Sequence, residues 1–314
     1  MQKYVEVLVN SFSGYWSYLV ESILHPSFQE DKLYTLYFYF LIALSLIVWS
    51  LEVIIPWRKK QPIIRKDFWQ DIFYMFFNFF LFSLIGFYAI SSIGVTFFNQ
   101  VLGEIGLENW VSKGMLDLKT REPWLYFGLL FILYDFIQWS VHVMLHKVPW
   151  MWRFHKVHHS VTEMGFAAHL RFHWMESVFY KTTLFVVLSL LGFGLDGLFF
   201  MHIFNIAIGH LNHANLNLDY GPLKYILNNP KMHIWHHAKH MPASHPKGIN
   251  FGITLSIWDY LFGKAYVPSS GKDIELGFTN IENYPESVKD QMLAPFKRES
   301  IDVIESSEPT DSLE

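Results

Sequence analysis

Three long apolar stretches constrain this chain more than any other feature: Leu33–Pro56, Ile72–Phe98 and Pro123–Val143. As helices rising 1.5 Å per residue, each is long enough to cross roughly 30 Å of hydrocarbon. A segment alone in a bilayer has to satisfy its own backbone N–H and C=O groups, and a helix does so. The expected fold class is therefore all-α, a multi-span membrane helical bundle. With 52% hydrophobic and 18% aromatic residues, the chain is too apolar for an ordinary soluble domain. Thirty Phe, sixteen Tyr and twelve Trp suit lipid-facing helices with aromatic residues near the interfaces. No cleavable signal is evident in Met1–Leu24, which alternates apolar and polar residues as an amphipathic helix lying at the interface would.

Charge orients these spans. Five basic residues crowd the loop Arg58–Lys66, which the positive-inside rule places in the cytoplasm. In the loop Asn99–Glu122 acids slightly outnumber bases. Counting spans from there puts the end of the third one on the cytoplasmic side as well. The stretch Val178–Ile208 would reach roughly 46 Å as one helix, but GFGLDG interrupts it at Gly192–Gly197. That turn chemistry favours a helical hairpin that returns to the cytoplasm. The formal net charge of −4 argues against a nucleic-acid partner. The chain has no cysteine, so disulfides, thiolate zinc sites and iron–sulfur clusters are excluded.

Four regions follow: an interfacial segment at 1–32, two spans with their loops at 33–122, a histidine-rich domain at 123–267 and an acidic tail at 268–314. The last sixteen residues hold six acids and no base, and are expected to be disordered. The histidine-rich domain is expected to form a helical cap on the cytoplasmic face of the bundle.

That domain carries the chemistry. Five histidines fall in eighteen residues: His142, His146, His155, His158 and His159. A second cluster supplies His233, His236, His237 and His240. On a helix, positions i, i+3 and i+4 share a face, so H-x-x-x-H and two copies of H-x-x-H-H each present their imidazoles together. Neutral imidazole is the commonest metal ligand and suits iron, zinc, copper and nickel. So many rings facing one another point to a metal site with two metals. The zinc-hydrolase word H-E-x-x-H is absent, as are the Glu-x-x-His repeats of a carboxylate-bridged bundle. His25, His202 and His245 have plain structural readings, and His240 either extends the second cluster or lies beside it.

The three boxes in this order among membrane spans resemble the fatty acid hydroxylase/sterol desaturase superfamily. The words FHKVHHS, RFHWMES, NPKMHIWHHA and NFGITLSIWDYLFG also match, over about residues 130–265. The resemblance implies a di-iron centre on His142, His146, His155, His158, His159, His233, His236 and His237. It adds a histidine between the boxes, best matched by His213, with His210 a further candidate. His169 and His173 are candidate ligands or supports of ligands. Asp135 matches the acid ahead of the first box, and Asp259 is a second carboxylate able to orient imidazoles. Gly165 stands where many members have Asn, and the usual small hydroxylated residue farther on is replaced near Ala168–His169, which bears on the substrate pocket.

The resemblance further implies two iron ions, with zinc able to replace them on purification, and O2 as co-substrate. The reaction would hydroxylate or desaturate a lipid C–H bond, on a lipid drawn from the bilayer. The one G-x-G-x-x-G word, GFGLDG at Gly192–Gly197, joins two apolar helical stretches and lacks the strand–turn–helix setting of a nucleotide fingerprint, so electrons would come from an external donor: a cytochrome b5-like protein, a ferredoxin or a reductase. The expected location is the bacterial inner membrane. Lys147, Arg153, Lys156 and Arg171 are candidates to hold lipid headgroups, or simply follow the positive-inside bias. A membrane metal-binding or transport protein is the competing reading, but it calls for ionisable residues inside the spans. Here the histidines gather at span ends and in loops.

Overall fold

The computed structural model describes residues 2–29, 32, 35–82, 91–106, 108–193 and 198–297. The regular elements among them are helices, with two isolated antiparallel bridges. Helix α1 (Gln2–Leu24) leaves Val5, Val9, Phe12 and Trp16 exposed at helical spacing, which gives it one apolar stripe. Helices α2 (Tyr37–Ile54) and α6 (Pro123–Lys147) are the two described helices long and apolar enough to cross a membrane. Their outer faces expose Leu46, Ile47 and Ile54 on α2, and Trp124, Leu125 and Leu129 on α6, the reverse of a soluble core helix.

The expected second span, Ile72–Phe98, is represented by two helices, α3 (Phe68–Phe82) and α4 (Ser91–Glu104). Its middle, 83–90, lies outside the described residues. The loop expected at Asn99–Glu122 is instead largely helical: α5 (Glu108–Arg121) lays Met115 and Leu118, three residues apart, against the core formed by α6.

Helix α6 stops where Val148 precedes Pro149. The proline ring pushes the residue before it out of the helical region, and Val148 is extended (φ −94°, ψ 113°). Pro149 then opens α7 (Pro149–His159) from a first-turn position, where its missing N–H costs nothing. The chain doubles back, so the second histidine box faces the first. After a 3₁₀ turn at Phe166–Leu170, α8 (Trp174–Leu190) and α9 (Leu198–His213) form the two arms expected of the hairpin, with 194–197 outside the described residues. Glu176 on the first turn of α8 bonds His155, and His213 at the end of α9 lies with its Nε2 3.3 Å from that of His158. The hairpin thus returns to the face it left.

Two cores hold these helices. Leu130, Tyr134 and Leu145 of α6 pack with Leu184 and Leu188 of α8. Tyr37 and Leu41 of α2 pack with Met75 and Phe79 of α3 and Ile206 of α9.

The segment after α9 packs back on α9 and α6: Asn212 Nδ2 donates to Ile253 O and Trp139 Nε1 to Asp259. Asn229 accepts a bond from the Met232 amide and Pro230 follows at the first turn, starting α10 (Pro230–His236). Two short helices come after it, α11 (Ile257–Leu261) and α12 (Val288–Leu293). Residues 268–297 are not a loose tail. Glu275 O accepts from Lys239 N, His237 O accepts from Gly277 N, and Phe296 packs on Phe154 and His173. Their backbone pairs with the segment that follows α10, which composition alone does not reveal. The disorder expected at the C-terminal end falls on 298–314, outside the described residues.

Candidate metal centre

The nine imidazoles singled out as ligands meet in two groups. His142, His146, His155, His159 and His236 each offer a ring nitrogen, all within 4.8 Å of one another. His158, His213, His233 and His237 do the same. The two groups adjoin, with the His159 and His237 ring centroids 4.4 Å apart. Eight of the nine rings are buried, and His146 is partly so.

Five of the nine rings are aimed from behind. Nδ1 of His142 donates to Phe251 O (2.7 Å), that of His236 to Ile249 O (2.8 Å) and that of His155 to the Glu176 carboxylate (2.6 Å). In the second group, Nδ1 of His158 donates to Arg171 O (3.1 Å) and that of His213 to Gly209 O (2.8 Å). A carbonyl oxygen only accepts, so these bonds fix the tautomer and leave Nε2 as a lone pair. Yet the His158 and His213 Nε2 atoms lie 3.3 Å apart, and those of His142 and His155 lie 3.2 Å apart. Two facing lone pairs cannot share a hydrogen bond; a cation between them removes the repulsion. Burial first, then neighbouring imidazoles, hold His155, His159, His233, His236 and His237 well below the usual histidine pKa. The rings are therefore neutral, the form that ligates. His146 Nε2 is buried and has no hydrogen-bond partner, as befits an atom whose partner is a metal. The donor set thus fits two metal ions held by nitrogen.

A second layer holds the first. Asn250 adopts the left-handed conformation (φ 52°), which lets the carbonyls on either side of it, Ile249 and Phe251, both serve imidazoles. Its side chain bonds Met232 O and both polar backbone atoms of Tyr266. Asp259 accepts from the amides of Phe251 and Gly252 and from Trp139 Nε1. Asp135 accepts from Trp258 Nε1 and, at longer range, from Leu255 N. Both acids thus support the loop behind the histidines instead of bonding an imidazole directly.

Arg171 is no headgroup ligand. It is fully buried, and its guanidinium bonds Asp67, Asp71 and Ser160 while its carbonyl serves His158.

The remaining candidates separate. His169 and His210 bond each other (3.0 Å) beside His213, and His210 also bonds Ser45. His173 bonds Met292 O, away from both groups. His240 is exposed, 3.8 Å from Glu275. Gly165 has a packing consequence: a Cβ there would come within 2.6 Å of the Arg65 guanidinium, which would have to shift from its bonds to Asp71 and Glu163 O. Glu176, the carboxylate aimed at His155, was not singled out by the sequence. Its signal was its place in RFHWMES, three residues after His173.

A cavity of about 140 Å³ opens onto both groups. It runs between α6, α8 and α9, touching His142 and His155 of one group and His158, His213 and His233 of the other.

Comparison with known proteins agrees with this geometry. Residues 127–264 match the family model described as fatty acid hydroxylase. The chain is 29% identical over 182 residues to ornithine lipid hydroxylase OlsE of Rhizobium tropici, covering 58% of this chain and 54% of that protein. It is 28% identical over 256 residues to alkylglycerol monooxygenase of Xenopus tropicalis (79% of this chain, 49% of that protein). Against the Danio rerio alkylglycerol monooxygenase it is 31% identical over 167 residues, 52% of this chain and 35% of that protein. The chain thus spans about half the length, or less, of these curated relatives. No solved structure matches it.

Proposed function

We propose, from the premise that residues 127–264 carry a fatty acid hydroxylase domain, that this chain is an integral-membrane lipid hydroxylase of the monooxygenase type. The observation that carries the reading is the pair of buried imidazole groups opening onto one cavity between membrane helices. The nine histidines would hold two iron ions. When bound, the irons supply activation of O2, which oxidises an unactivated C–H bond.

The chain's own residues arrange the rest. Glu176 and the four carbonyls fix the tautomers of five of the nine imidazoles. Leu170, Phe172, Leu184, Ile206 and Ile253 give the cavity apolar walls suited to an alkyl chain. Burial of the histidine groups excludes bulk water from the reacting carbon. The substrate is a polar-headed lipid, as the names of the relatives say of those proteins.

The site faces the cytoplasm. Arg58 and Arg65 of the basic loop bond Met164 O and Glu163 O, just past the second histidine box. Loop and histidines share a side, and the positive-inside rule assigns that side. Helix α1, with its exposed apolar stripe, lies at the interface.

The test is metal content per chain for protein purified from iron-replete cells, with a lipid comparison between expressing and non-expressing cells. We expect about two metal atoms, in line with the two ligand groups, and a lipid gaining one oxygen. No stoichiometric metal would overturn the reading.

A further inference from the structure

Hydroxylation balances as R–H + O2 + 2e⁻ + 2H⁺ → R–OH + H2O. The two electrons come from a separate carrier: the one G-x-G-x-x-G word, GFGLDG at 192–197, lies between helices α8 and α9 and does not follow a strand, as a nucleotide fingerprint requires. They need a way in that does not cross the substrate.

The cavity occupies one side of the histidine groups. Trp152 occupies another. Its ring centroid lies 4.9 Å from that of His146, 5.2 Å from His159 and 6.0 Å from His155, so it touches three members of the five-histidine group. His146, His159 and Trp152 are not among the residues lining the cavity. Trp152 is partly exposed, and Phe278 packs on it at 6.1 Å. Four basic residues adjoin this ring or the histidine it touches, while Glu275 and Glu282 flank Phe278 in the chain. Lys147 follows His146, Arg153 follows Trp152, and Lys156 lies over the Phe278 ring at 5.6 Å. Lys247 precedes Gly248, where a Cβ would come within 3.1 Å of the His146 ring. Residues 136–162 contain no acid, and neither do 238–258.

We propose that Trp152 conducts electrons to the five-histidine group, and that the basic residues around it dock an acidic one-electron carrier protein. The inference rests on the hydroxylase reading. The carrier gives one electron at a time through the indole, twice per turnover, while the lipid occupies the cavity, which Trp152 does not line. Opposite charges speed the encounter and make it sensitive to salt.

The test uses full-length, iron-loaded protein in nanodiscs with an acidic [2Fe–2S] ferredoxin as probe. Two quantities are measured: ferredoxin affinity, on loaded and metal-free protein alike, and the rate at which reduced ferredoxin reduces the bound metal. Reduced methyl viologen, a small reductant, serves as internal reference. For Trp152→Leu we expect the ferredoxin-to-viologen rate ratio to fall at least about tenfold, with Trp152→Phe recovering most of it. The double change Arg153→Glu, Lys156→Glu should weaken ferredoxin binding about tenfold at low salt, the size of one to two lost charge contacts. An unchanged rate ratio in Trp152→Leu at full metal loading would overturn the route. So would charge reversal that alters only binding to anionic lipid. Reduction through Trp152 without any oxidised lipid would sink the hydroxylase reading and leave the route standing.

Discussion

The two histidine groups lie side by side yet are supported differently. The five-ligand group has a buried carboxylate behind one ring and backbone carbonyls behind two more. The four-ligand group has carbonyls alone, behind His158 and His213. A carboxylate on an imidazole N–H makes the other nitrogen more basic and so a stronger ligand. With fewer donors and neutral support, the four-ligand group should bind its metal more weakly and lose it first. Substitutions can break or sharpen that inequality.

Removing a ligand has the largest effect. In His237→Ala the four-ligand group falls to three, and metal content should drop from about two atoms to about one. His146→Ala leaves four donors in its group and should keep more metal. Lipid oxidation should fall at least about a hundredfold in both, because the reaction is assigned to the pair of metals. Elemental analysis beside the activity assay checks this. Equal metal loss from the two variants would erase the proposed ranking.

Glu176→Gln comes next. The amide keeps the shape but loses the charge, and loss of such a supporting group typically costs 10–100-fold in metal affinity. The loss should be confined to one of two metals in a chelator titration. A variant that releases both metals together would make Glu176 a general structural support, with no preference for one group.

Asp259→Asn acts one step farther out, through the loop whose carbonyls hold His142 and His236. Burial raises the Asp259 pKa from 3.8 to about 6, against the pull of Trp139 and the Gly252 and Phe251 amides. A carboxyl whose folded pKa lies above its unfolded value favours the folded state while protonated. Its contribution is therefore lost as pH rises from about 4 through about 6, at up to roughly 1.4 kcal/mol per unit. Relative to Asp259→Asn, the wild type should lose melting temperature as pH climbs through that window, a difference read on top of the opposite slope from the buried neutral histidines. Metal content should change by less than in Glu176→Gln.

These targets were unequally legible in the sequence. All nine grouped imidazoles could be named from spacing and resemblance, since H-x-x-x-H and H-x-x-H-H fix which rings share a helical face. Their division into five and four could not, because His158 and His159 are adjacent in sequence and serve different groups. The hairpin was legible from the glycines and Asp of GFGLDG. The docking of 268–297 was not, because backbone pairing such as Gly277 N to His237 O leaves no trace in composition. Arg171 looked like a surface cation until Asp67 and Asp71, a hundred residues away, were found beside it.

The smallest effect belongs to His240. By spacing it was an even candidate, four residues after His236 and so on the same face of a continued helix. The helix does not continue: α10 ends at His236, and Ala238 turns into a bridge with Leu276. The His240 side chain is 70% exposed, and its partner Glu275 is 3.8 Å away and 73% exposed. Exposed pairs of this kind contribute little, ~0–1 kcal/mol. His240→Ala should therefore leave metal content, melting temperature and lipid oxidation within about twofold of the wild type, a change of roughly 0.4 kcal/mol. Loss of a metal in this variant would mean that the ligand sphere extends past the end of α10, and the count of five and four would have to be redrawn.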